Sequence, residues 1–354
     1  MQVDLPQSVE AIDAAFLSSA LAVRYPGTVV TSVARGTVIH GTATKVRLML
    51  DYDDAGHAHG LPPTLWYKGG LEAHSQGEHM LSVYAAEAAF YRDVAPRLSM
   101  TLPKCYFVHT DHATGRSAML LEDMLTRNAR FGHVTQPASP KLAANVLGQF
   151  ARLHGAFWKS NALAGNKALA SGGETLAGFV AAHNCAPDNW ARCLTLPRAR
   201  FVTGALRDRD RIAPVVQRML AEDRTRYTSL VHGDAHLGNV CILPGENACF
   251  LDWQTAMLGF WAHDVAYFLA GALTVEDRRA HERELIRHYV AELNHAGGRL
   301  EEPEAWLEYR RHALYAFCWF GCPPEWVPEE MNCLYTERAV AAVRDLDSLA
   351  CWNA

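Results

Sequence analysis

Three apolar runs separated by polar turns occupy the region between residues 229 and 254 of the chain. The first run precedes a polar loop, Val240–Leu243 follows that loop, and a turn at Pro244–Asn247 leads into the third run. Short apolar runs bounded by turn residues predict strands, so we expect a loop followed by a hairpin. Such a hairpin would bring three oxygen-bearing side chains together at one end: Asp234, Asn239 and Asp252.

These three side chains suggest a chemistry as well as a turn. Aspartate and asparagine are common turn formers, and a single Asp in a loop is ordinarily explained by local hydrogen bonding. Three of them around one hairpin are what phosphoryl transfer from a nucleotide needs. Asp234 would take the proton of an attacking hydroxyl, while Asn239 and Asp252 would hold Mg²⁺ on the phosphates.

The order His-Gly-Asp-x-x-x-x-Asn, followed by Leu-Asp-Trp-Gln, resembles the catalytic signature of the aminoglycoside phosphotransferase and choline kinase superfamily. In detail it is most similar to the ecdysteroid-kinase-like (CHK kinase-like) branch. These are small-molecule kinases, so the resemblance implies ATP and Mg²⁺ as cofactors. It also implies an α+β, protein-kinase-like bilobal fold. Residues 1–124 would form a small nucleotide-binding N-lobe with an antiparallel sheet and one main helix. Residues 125–354 would form a larger, mostly helical C-lobe with the catalytic hairpin and the acceptor site.

The N-terminal third of the sequence predicts a strand pair over residues 29–52 and a polar loop over residues 51–63. Small residues lie in the turn of the strand pair: Gly41, Thr42, Ala43 and Thr44. Such a turn would let backbone amides approach a polyphosphate. A glycine-containing hairpin is equally ordinary turn chemistry, and no Walker P-loop sequence occurs in the chain.

A strand that ends at Lys68 and a helix over residues 78–94 follow, and the helix contains Glu87. Charged residues at such positions are usually solvated. However, their order after the glycine turn matches the kinase arrangement. There the lysine binds the α- and β-phosphates, and the helix glutamate orients the lysine. We therefore assign Lys68 and Glu87 to nucleotide binding.

The strand over residues 117–121 runs into Glu122 and Met124, which resemble the hinge segment of the family. By that resemblance, these two residues would contact the nucleotide base through their backbone amide groups. The alternative for the acidic side chains of this segment is a solvated linker.

Three further residues are expected to support the catalytic loop. His232 would hydrogen-bond within the loop and keep Asp234 aimed, and we do not assign it as the base. His154 is expected to be a buried, hydrogen-bonded histidine that braces the loop. Asp264, near the start of an apolar helix, would by resemblance support the loop without touching the phosphates.

Composition narrows the function classes. The formal net charge of −5 argues against a nucleic-acid binder, which would show a basic face. No apolar run approaches the ~18 residues needed to span a bilayer. Nine cysteines are an odd number without paired short spacing, which favours reduced thiols and a cytoplasmic location. The acidic N-terminal stretch, without a basic segment, does not predict a signal peptide.

The expected partner is a small-molecule hydroxyl acceptor. Residues 126–354 carry 24 Lys/Arg and 25 Asp/Glu, whereas a polycationic aminoglycoside would favour a strongly acidic lobe. This region is rich in aromatic residues, most of them expected in the core: Trp190, Trp261, Trp306, Phe317, Trp319, Phe320 and Trp326. A few that line a cleft would suit a neutral, partly apolar alcohol.

Two other function classes remain open at this stage. A metal phosphohydrolase could use a cluster of His and Asp residues: His232, Asp234, His236, His263 and Asp264. It would leave Lys68 and the glycine turn unexplained. A non-catalytic nucleotide-binding pseudokinase is the second alternative, although every expected polar group is present. The sequence does not distinguish ATP from GTP and leaves the acceptor and the oligomeric state open.

Overall fold

The structure is a computed structural model that describes residues 3–169, 176 and 178–352. The chain divides into two compact units. The first comprises Met1–Arg97, Leu102–Ala129 and Asp252–Gln254. The second comprises Leu98–Thr101, Arg130–Leu251 and Thr255–Ala354. The assignment of nucleotide and acceptor roles to two lobes stays a prediction.

The first unit is built on a five-stranded antiparallel sheet with the strand order β1-β2-β3-β5-β4. Its strands are β1 (Val30–Ile39), β2 (Thr44–Tyr52), β3 (Thr64–Gly69), β4 (Cys105–Thr110) and β5 (Ser117–Glu122). Side chains alternate between the two faces of a strand, so Val46, Leu48 and Leu50 pack together in the core of this unit. Lys45 and Arg47 therefore lie on the opposite face of the sheet.

Three α-helices accompany this sheet: α1 (Ala14–Ala22), α2 (Asp54–Ala58) and α3 (Glu78–Ala89). The prediction of a loop over residues 51–63 is wrong in part, because α2 lies within it. The Asp53 carboxylate accepts a hydrogen bond from the Gly56 N–H at 2.9 Å, and this N-cap supports the single turn of helix. Beyond α3, residues 90–94 continue as a π-helical turn.

The second unit is mostly helical. In the part of the unit that the structure describes, the helices with defined bounds are α4 (Pro140–Ala156), α5 (Pro187–Cys193), α6 (Arg209–Thr225), α7 (Ala262–Ala272), α8 (Val275–His295), α9 (Glu302–Cys318) and α10 (Glu329–Asp345). Helix α7 is buried along its whole length. Within the described part of the chain, no helix is both long and apolar enough to cross a bilayer.

Short strands complete the second unit: β6 (Arg130–Phe131), β7 (Ser229–Val231), β8 (Val240–Leu243), β9 (Asn247–Phe250) and β10 (Met257–Gly259). The predicted hairpin is β8–β9, which pairs Val240 with Phe250 and Leu243 with Asn247. Strand β7 pairs with β10, and the loop between β7 and β8 contains the motif His232–Asn239. The sequence pattern therefore predicted both the loop and the hairpin correctly.

Candidate active site

The loop after β7 makes a turn that only glycine accommodates. Gly233 has a φ of 83°, and a Cβ at this position would collide with the carbonyl oxygen of Thr255. The hydroxyl of Thr255 donates to the carbonyl of His232 at 2.9 Å. The backbone on either side of Gly233 is therefore fixed just before Asp234.

A buried carboxylate holds the same turn from the other side. Asp264, in the first turn of α7, accepts hydrogen bonds from the backbone N–H groups of His232 (2.6 Å) and Gly233 (2.9 Å). The His154 ring lies 3.2 Å from the same carboxylate and 2.8 Å from the hydroxyl of Tyr289. Burial alone would raise the pKa of Asp264, but the hydrogen bond from His154 and the nearby histidine rings hold that pKa below its ordinary value. Asp264 thus binds this loop as an ionised group.

Both ring nitrogens of His232 contact backbone groups. Nδ1 accepts from the N–H of Asp234 at 3.3 Å, and Nε2 donates to the carbonyl of Leu251 at 2.9 Å. His232 consequently lies where it can position Asp234, and its nitrogens are engaged in that role.

The predicted base and one predicted metal ligand are in direct contact. The Asn239 side-chain N–H₂ donates to the Asp234 backbone carbonyl at 2.8 Å and to its Oδ2 at 3.1 Å. Because the amide nitrogen bonds Asp234, the amide oxygen of Asn239 is the atom that remains for a cation. The Nε2 atom of His236 lies 3.5 Å from Asp234 Oδ2.

A cavity of about 250 Å³ in the second unit opens beside this loop. Of its sixteen described lining residues, Asp234 carries the one carboxylate. Much of the wall is aromatic or apolar, with Tyr267, Trp319, Met331 and Tyr335 among its residues. The cavity therefore offers a large apolar surface with one acidic group in its wall.

The sequence-based list of aromatic residues identified one member of this wall, Trp319. Trp190, Trp261, Phe317 and Phe320 are buried in the core, as expected for most of the set. The tyrosines at positions 267 and 335 were missed. The run from Ala266 to Leu269 looks uniformly apolar, and a helix that is buried all round gives no sequence signal for the face that lines a cavity.

The first unit contains a separate charged group. The buried Lys68 ammonium lies 2.6 Å from Glu87 Oε2 and 2.9 Å from Asp252 Oδ1. Glu87 also accepts from the backbone N–H of Trp253 at 3.2 Å, and the Trp253 ring stacks on Phe90 with centroids 3.7 Å apart. The predicted Lys68–Glu87 pair is present, with Asp252 joined to it.

Electrostatics keep Lys68 and Asp252 charged, whereas burial raises the pKa of Glu87 despite its contact with Lys68. Burial alone would lower the pKa of Lys68, but the carboxylates of Asp252 and Glu87 raise it above its ordinary value. Burial would raise the pKa of Asp252, whereas Lys68 and Lys45 bring it well below its usual range. Asp252 has a φ of 61°, a left-handed conformation that is uncommon for a residue other than glycine. Such backbone strain is concentrated at functional sites.

Lys45 is a residue that the sequence analysis missed. It lies directly opposite Lys68 in the β2–β3 register, and its ammonium is 3.2 Å from Asp252 Oδ2. A long connection that contains α2 joins β2 to β3, so no tight turn fixes their register in the sequence, and the pairing of these two lysines could not be predicted.

The predicted phosphate turn packs against the region around the start of α3. The Tyr84 hydroxyl donates to the carbonyl of Thr42, and the Thr44 hydroxyl donates to Glu72 at 3.2 Å. Ala43 and Thr44 are buried, and Gly41 and Thr42 are exposed. The exposed part of the turn is the part that remains accessible to a ligand.

The two predicted hinge residues differ in the availability of their backbone groups. The N–H of Glu122 donates to the Lys104 carbonyl at 2.8 Å, so its carbonyl is the group left for a base. Met124 is buried and begins a short 3₁₀ turn that the Asp123 side chain caps. Asp123 itself is held by Arg47 and Trp66, at 2.7 Å and 3.2 Å.

The His/Asp cluster considered for a phosphohydrolase does not form a metal site. Among the residues that the structure describes, no group of three or more His, Cys, Asp or Glu side chains could hold a metal ion. Asp264 is bonded to backbone amides, and His263 Nε2 contacts the carbonyl of Gly233 at 3.0 Å. These side chains stabilise the loop instead.

Solved structures show what the fold resembles. A protein assigned as an aminoglycoside phosphotransferase from Ralstonia eutropha jmp134 is similar over 94% of this chain and 97% of its own, with a TM-score of 0.50 and 13% identity. Macrolide 2'-phosphotransferase MphH from Brachybacterium faecium shares 16% identity, with coverage of 93% and 97% and a TM-score of 0.45. The microcompartment-associated aminopropanol kinase shares 14% identity, with coverage of 93% and 95% and a TM-score of 0.47.

No curated protein matches the sequence significantly. The model of the phosphotransferase enzyme family, APH, matches residues 77–310. The expected α+β kinase-like fold and the expected enzyme class, a phosphotransferase with an alcohol group as acceptor, are confirmed. The segment matched includes Glu87, the loop of Asp234 and the hairpin that ends before Asp252. The chain belongs to the APH phosphotransferase enzyme family.

Proposed function

We propose that this protein is an ATP- and Mg²⁺-dependent kinase that transfers the γ-phosphoryl group to a hydroxyl of a small, neutral or partly apolar alcohol. The observation that carries the proposal is the cavity with Asp234 in its wall. An acceptor in that cavity would present its hydroxyl to a carboxylate and its apolar part to aromatic rings. With one carboxylate in the wall, the cavity suits such an alcohol better than a polycationic aminoglycoside.

The residues present fit the proposed cofactors. Mg²⁺ prefers oxygen ligands, and the Asp252 carboxylate of the first unit and the Asn239 amide oxygen of the second unit are each a group that would bind it. The contact of the Asn239 amide nitrogen with Asp234 orients that amide for this role. Lys68, fixed by Glu87, supplies a charge for the α- and β-phosphates. Bound magnesium would neutralise negative charge on the phosphates.

The remaining nucleotide contacts would come from backbone groups. Gly41, Thr42, Ala43 and Thr44 would cover the phosphates through amides of their turn. The carbonyl of Glu122 and the N–H of Met124 would bind the base. The occupied N–H of Glu122 supports this division of roles.

In the proposed reaction, the oxygen of the acceptor hydroxyl bonds to the γ-phosphorus while the bond from that phosphorus to the bridging oxygen breaks and ADP leaves, and Asp234 accepts the hydroxyl proton. A positioned general base contributes roughly 10²–10⁴ in rate. His232, Gly233 and Asp264 keep the carboxylate in place through the hydrogen bonds described above. The cavity walls orient the alcohol and exclude water from the reacting group.

Two finer assignments belong to the same proposal. The detail of the motif at residues 232–239 supports placement in the ecdysteroid-kinase-like branch. A cytoplasmic location is supported by the cysteines, since all nine are free thiols. The nucleotide would be bound by the N-terminal part of the chain, residues 1–124, and the acceptor by the remainder.

The role of Asp234 is tested with the isosteric variant Asp234→Asn. We expect turnover to fall by about 10²–10⁴, because the base is lost, while the affinity for ATP·Mg²⁺ stays within about twofold. Asp54→Asn, at an exposed position in α2, is the matched control and should keep full turnover. An active Asp234→Asn enzyme would overturn the assignment of the base.

The acceptor class is tested by measuring ADP release against a panel of hydrophobic alcohols and aminoglycosides. We expect turnover with alcohols that carry an apolar body. Turnover with aminoglycosides alone would overturn the proposed acceptor. Phosphomonoester hydrolysis without nucleotide would favour the phosphohydrolase, and ATP binding without turnover of any acceptor would favour the pseudokinase.

A further inference from the structure

The face of the sheet that carries Lys68 bears a second lysine directly opposite. Lys45 and Lys68 are register partners in the antiparallel β2–β3 pair, so their Cβ atoms are about 5 Å apart on the same face. Like charges at such positions repel each other. An acidic side chain that contacts both ammonium groups would therefore stabilise this point of the sheet.

Asp252 is that acidic side chain. Its Oδ1 lies 2.9 Å from the Lys68 ammonium, and its Oδ2 lies 3.2 Å from the Lys45 ammonium. Together with Glu87, these residues form a group of two lysines and two acidic side chains. Both carboxylate oxygens of Asp252 are occupied by lysines.

Arg47 shows that this sharing is particular to Lys45. Arg47 lies two residues further along the same face of β2 and has its own buried acid, Asp123, at 2.7 Å. Lys45 instead pairs with the residue proposed as a metal ligand. The two neighbouring cations thus differ in whether a bound metal would compete for their partner.

The two lysines also differ in how firmly they are held. Lys68 has Glu87 as a second partner and a side chain that is 5% exposed, whereas the side chain of Lys45 is 34% exposed. A divalent cation on Asp252 would displace a lysine and repel it. Lys45 is the lysine with the freedom to leave, and it directly follows the turn proposed to cover the phosphates.

We propose that Lys45 is a second positioning lysine of the nucleotide site. Its ammonium pairs with Asp252 while no metal is bound and contacts the nucleotide phosphates instead when the metal binds. This proposal rests on the proposed nucleotide-binding function. In this role the Lys45 ammonium occupies the place on the Asp252 carboxylate where a metal ion would bind. When the ammonium leaves that carboxylate, it adds a positive charge beside the nucleotide phosphates. It touches no reacting atom.

The test uses Lys45→Met, which keeps the length of the side chain and removes its charge. In calorimetric titrations we expect Lys45→Met to bind Mn²⁺ alone about tenfold more tightly, since Asp252 loses a competing cation. We expect it to bind ATP·Mg²⁺ about tenfold more weakly, since one phosphate contact is lost. Lys45→Arg should stay within about threefold of the wild type in both titrations.

Lys141→Met, at an exposed position of α4, is the matched control and should change neither affinity. Circular dichroism melting of each variant establishes that it is folded. Unchanged affinities in folded Lys45→Met would overturn the Lys45 proposal while the proposed function stands. A wild-type protein that binds neither Mn²⁺ nor ATP·Mg²⁺ would overturn both proposals.

Discussion

Asp252 follows strand β9, and Asp264 lies in the first turn of helix α7. The environments of these two carboxylates differ in kind. Asp264 is fully buried and bonds backbone N–H groups, together with a buried histidine. Asp252 is part-buried and bonds the ammonium groups of two lysine side chains. The Asp264 carboxylate binds backbone groups, and the Asp252 carboxylate binds lysine side chains.

The difference teaches how to separate structural from exchangeable acids. Backbone amides cannot leave Asp264 unless the loop that contains His232 and Gly233 unfolds, so no ligand can replace them without loss of structure. The Lys45 side chain can leave Asp252 by rotation about single bonds, so a cation can replace it. The partners of a carboxylate, more than its burial alone, indicate whether it is available to a ligand.

The largest expected effect comes from the same isosteric change at both acids. Asp264→Asn places an amide opposite buried N–H donors and should lower the free energy of unfolding by about 3 kcal/mol. Asp252→Asn should lower it by about 1 kcal/mol or less, because its pairs are part-exposed. Urea denaturation measures both values.

Binding should show the reverse order for these two variants. Asp252→Asn removes a proposed metal ligand and is expected to weaken ATP·Mg²⁺ binding far more than folded Asp264→Asn does. Equal losses of stability at the two positions would break the distinction between them.

A second prediction uses pH and salt. Both carboxylates have pKa values below their ordinary value. The stability each contributes is therefore present above the unfolded-state pKa of about 3.9 and is lost as the pH falls through the folded-state pKa. Each Asn variant should show a shallower loss of stability with acid than the wild type.

Salt should then separate the two acids. At about 1 M salt, where the screening length is roughly 3 Å, the contribution of the part-exposed Asp252 pairs should shrink. The contribution of Asp264 should persist, since its partners are buried. Acid titrations of urea stability at low and high salt measure this difference, and an Asp264 contribution that disappears in salt would contradict the comparison.

The smallest expected effect concerns Tyr289, which contacts Asp264 only through the His154 ring. Tyr289→Phe removes the hydroxyl that bonds His154 and should lower the unfolding free energy by about 1 kcal/mol. We also expect a few-fold lower kcat with an unchanged KM for ATP, because His154 positions the loop through Asp264. Tyr309→Phe, which removes a hydroxyl bonded to Glu282, is the matched control. It should lower stability similarly and leave kcat unchanged.

Local patterns predicted those parts of the fold that local chemistry determines. The hairpin after Asn239 followed from apolar runs and turn residues, and the Lys68–Glu87 contact followed from element order and resemblance. The short helix α2 was missed because its stability comes from a single cap. The assigned site roles stay predictions.

Long-range features were beyond the sequence. The contact of Lys45 with Asp252 joins residues 207 positions apart, and it depends on the register of two strands. Tyr267 lies on α7, which is buried on every face, so periodicity could not select it as a cavity residue. Pairing and cavity shape arise from tertiary packing, which periodicity does not encode.

The first unit includes three residues, Asp252–Gln254, that lie more than a hundred positions after Ala129, where the rest of the unit ends. A fragment that stops at residue 129 would therefore leave two facing lysines without their shared acid, and Phe90 without the indole that covers it. The smaller unit cannot be excised by a single cut. Recombination that exchanged only the N-terminal segment of the first unit would separate its lysines from the Asp252 carboxylate. The two units are therefore expected to be inherited together.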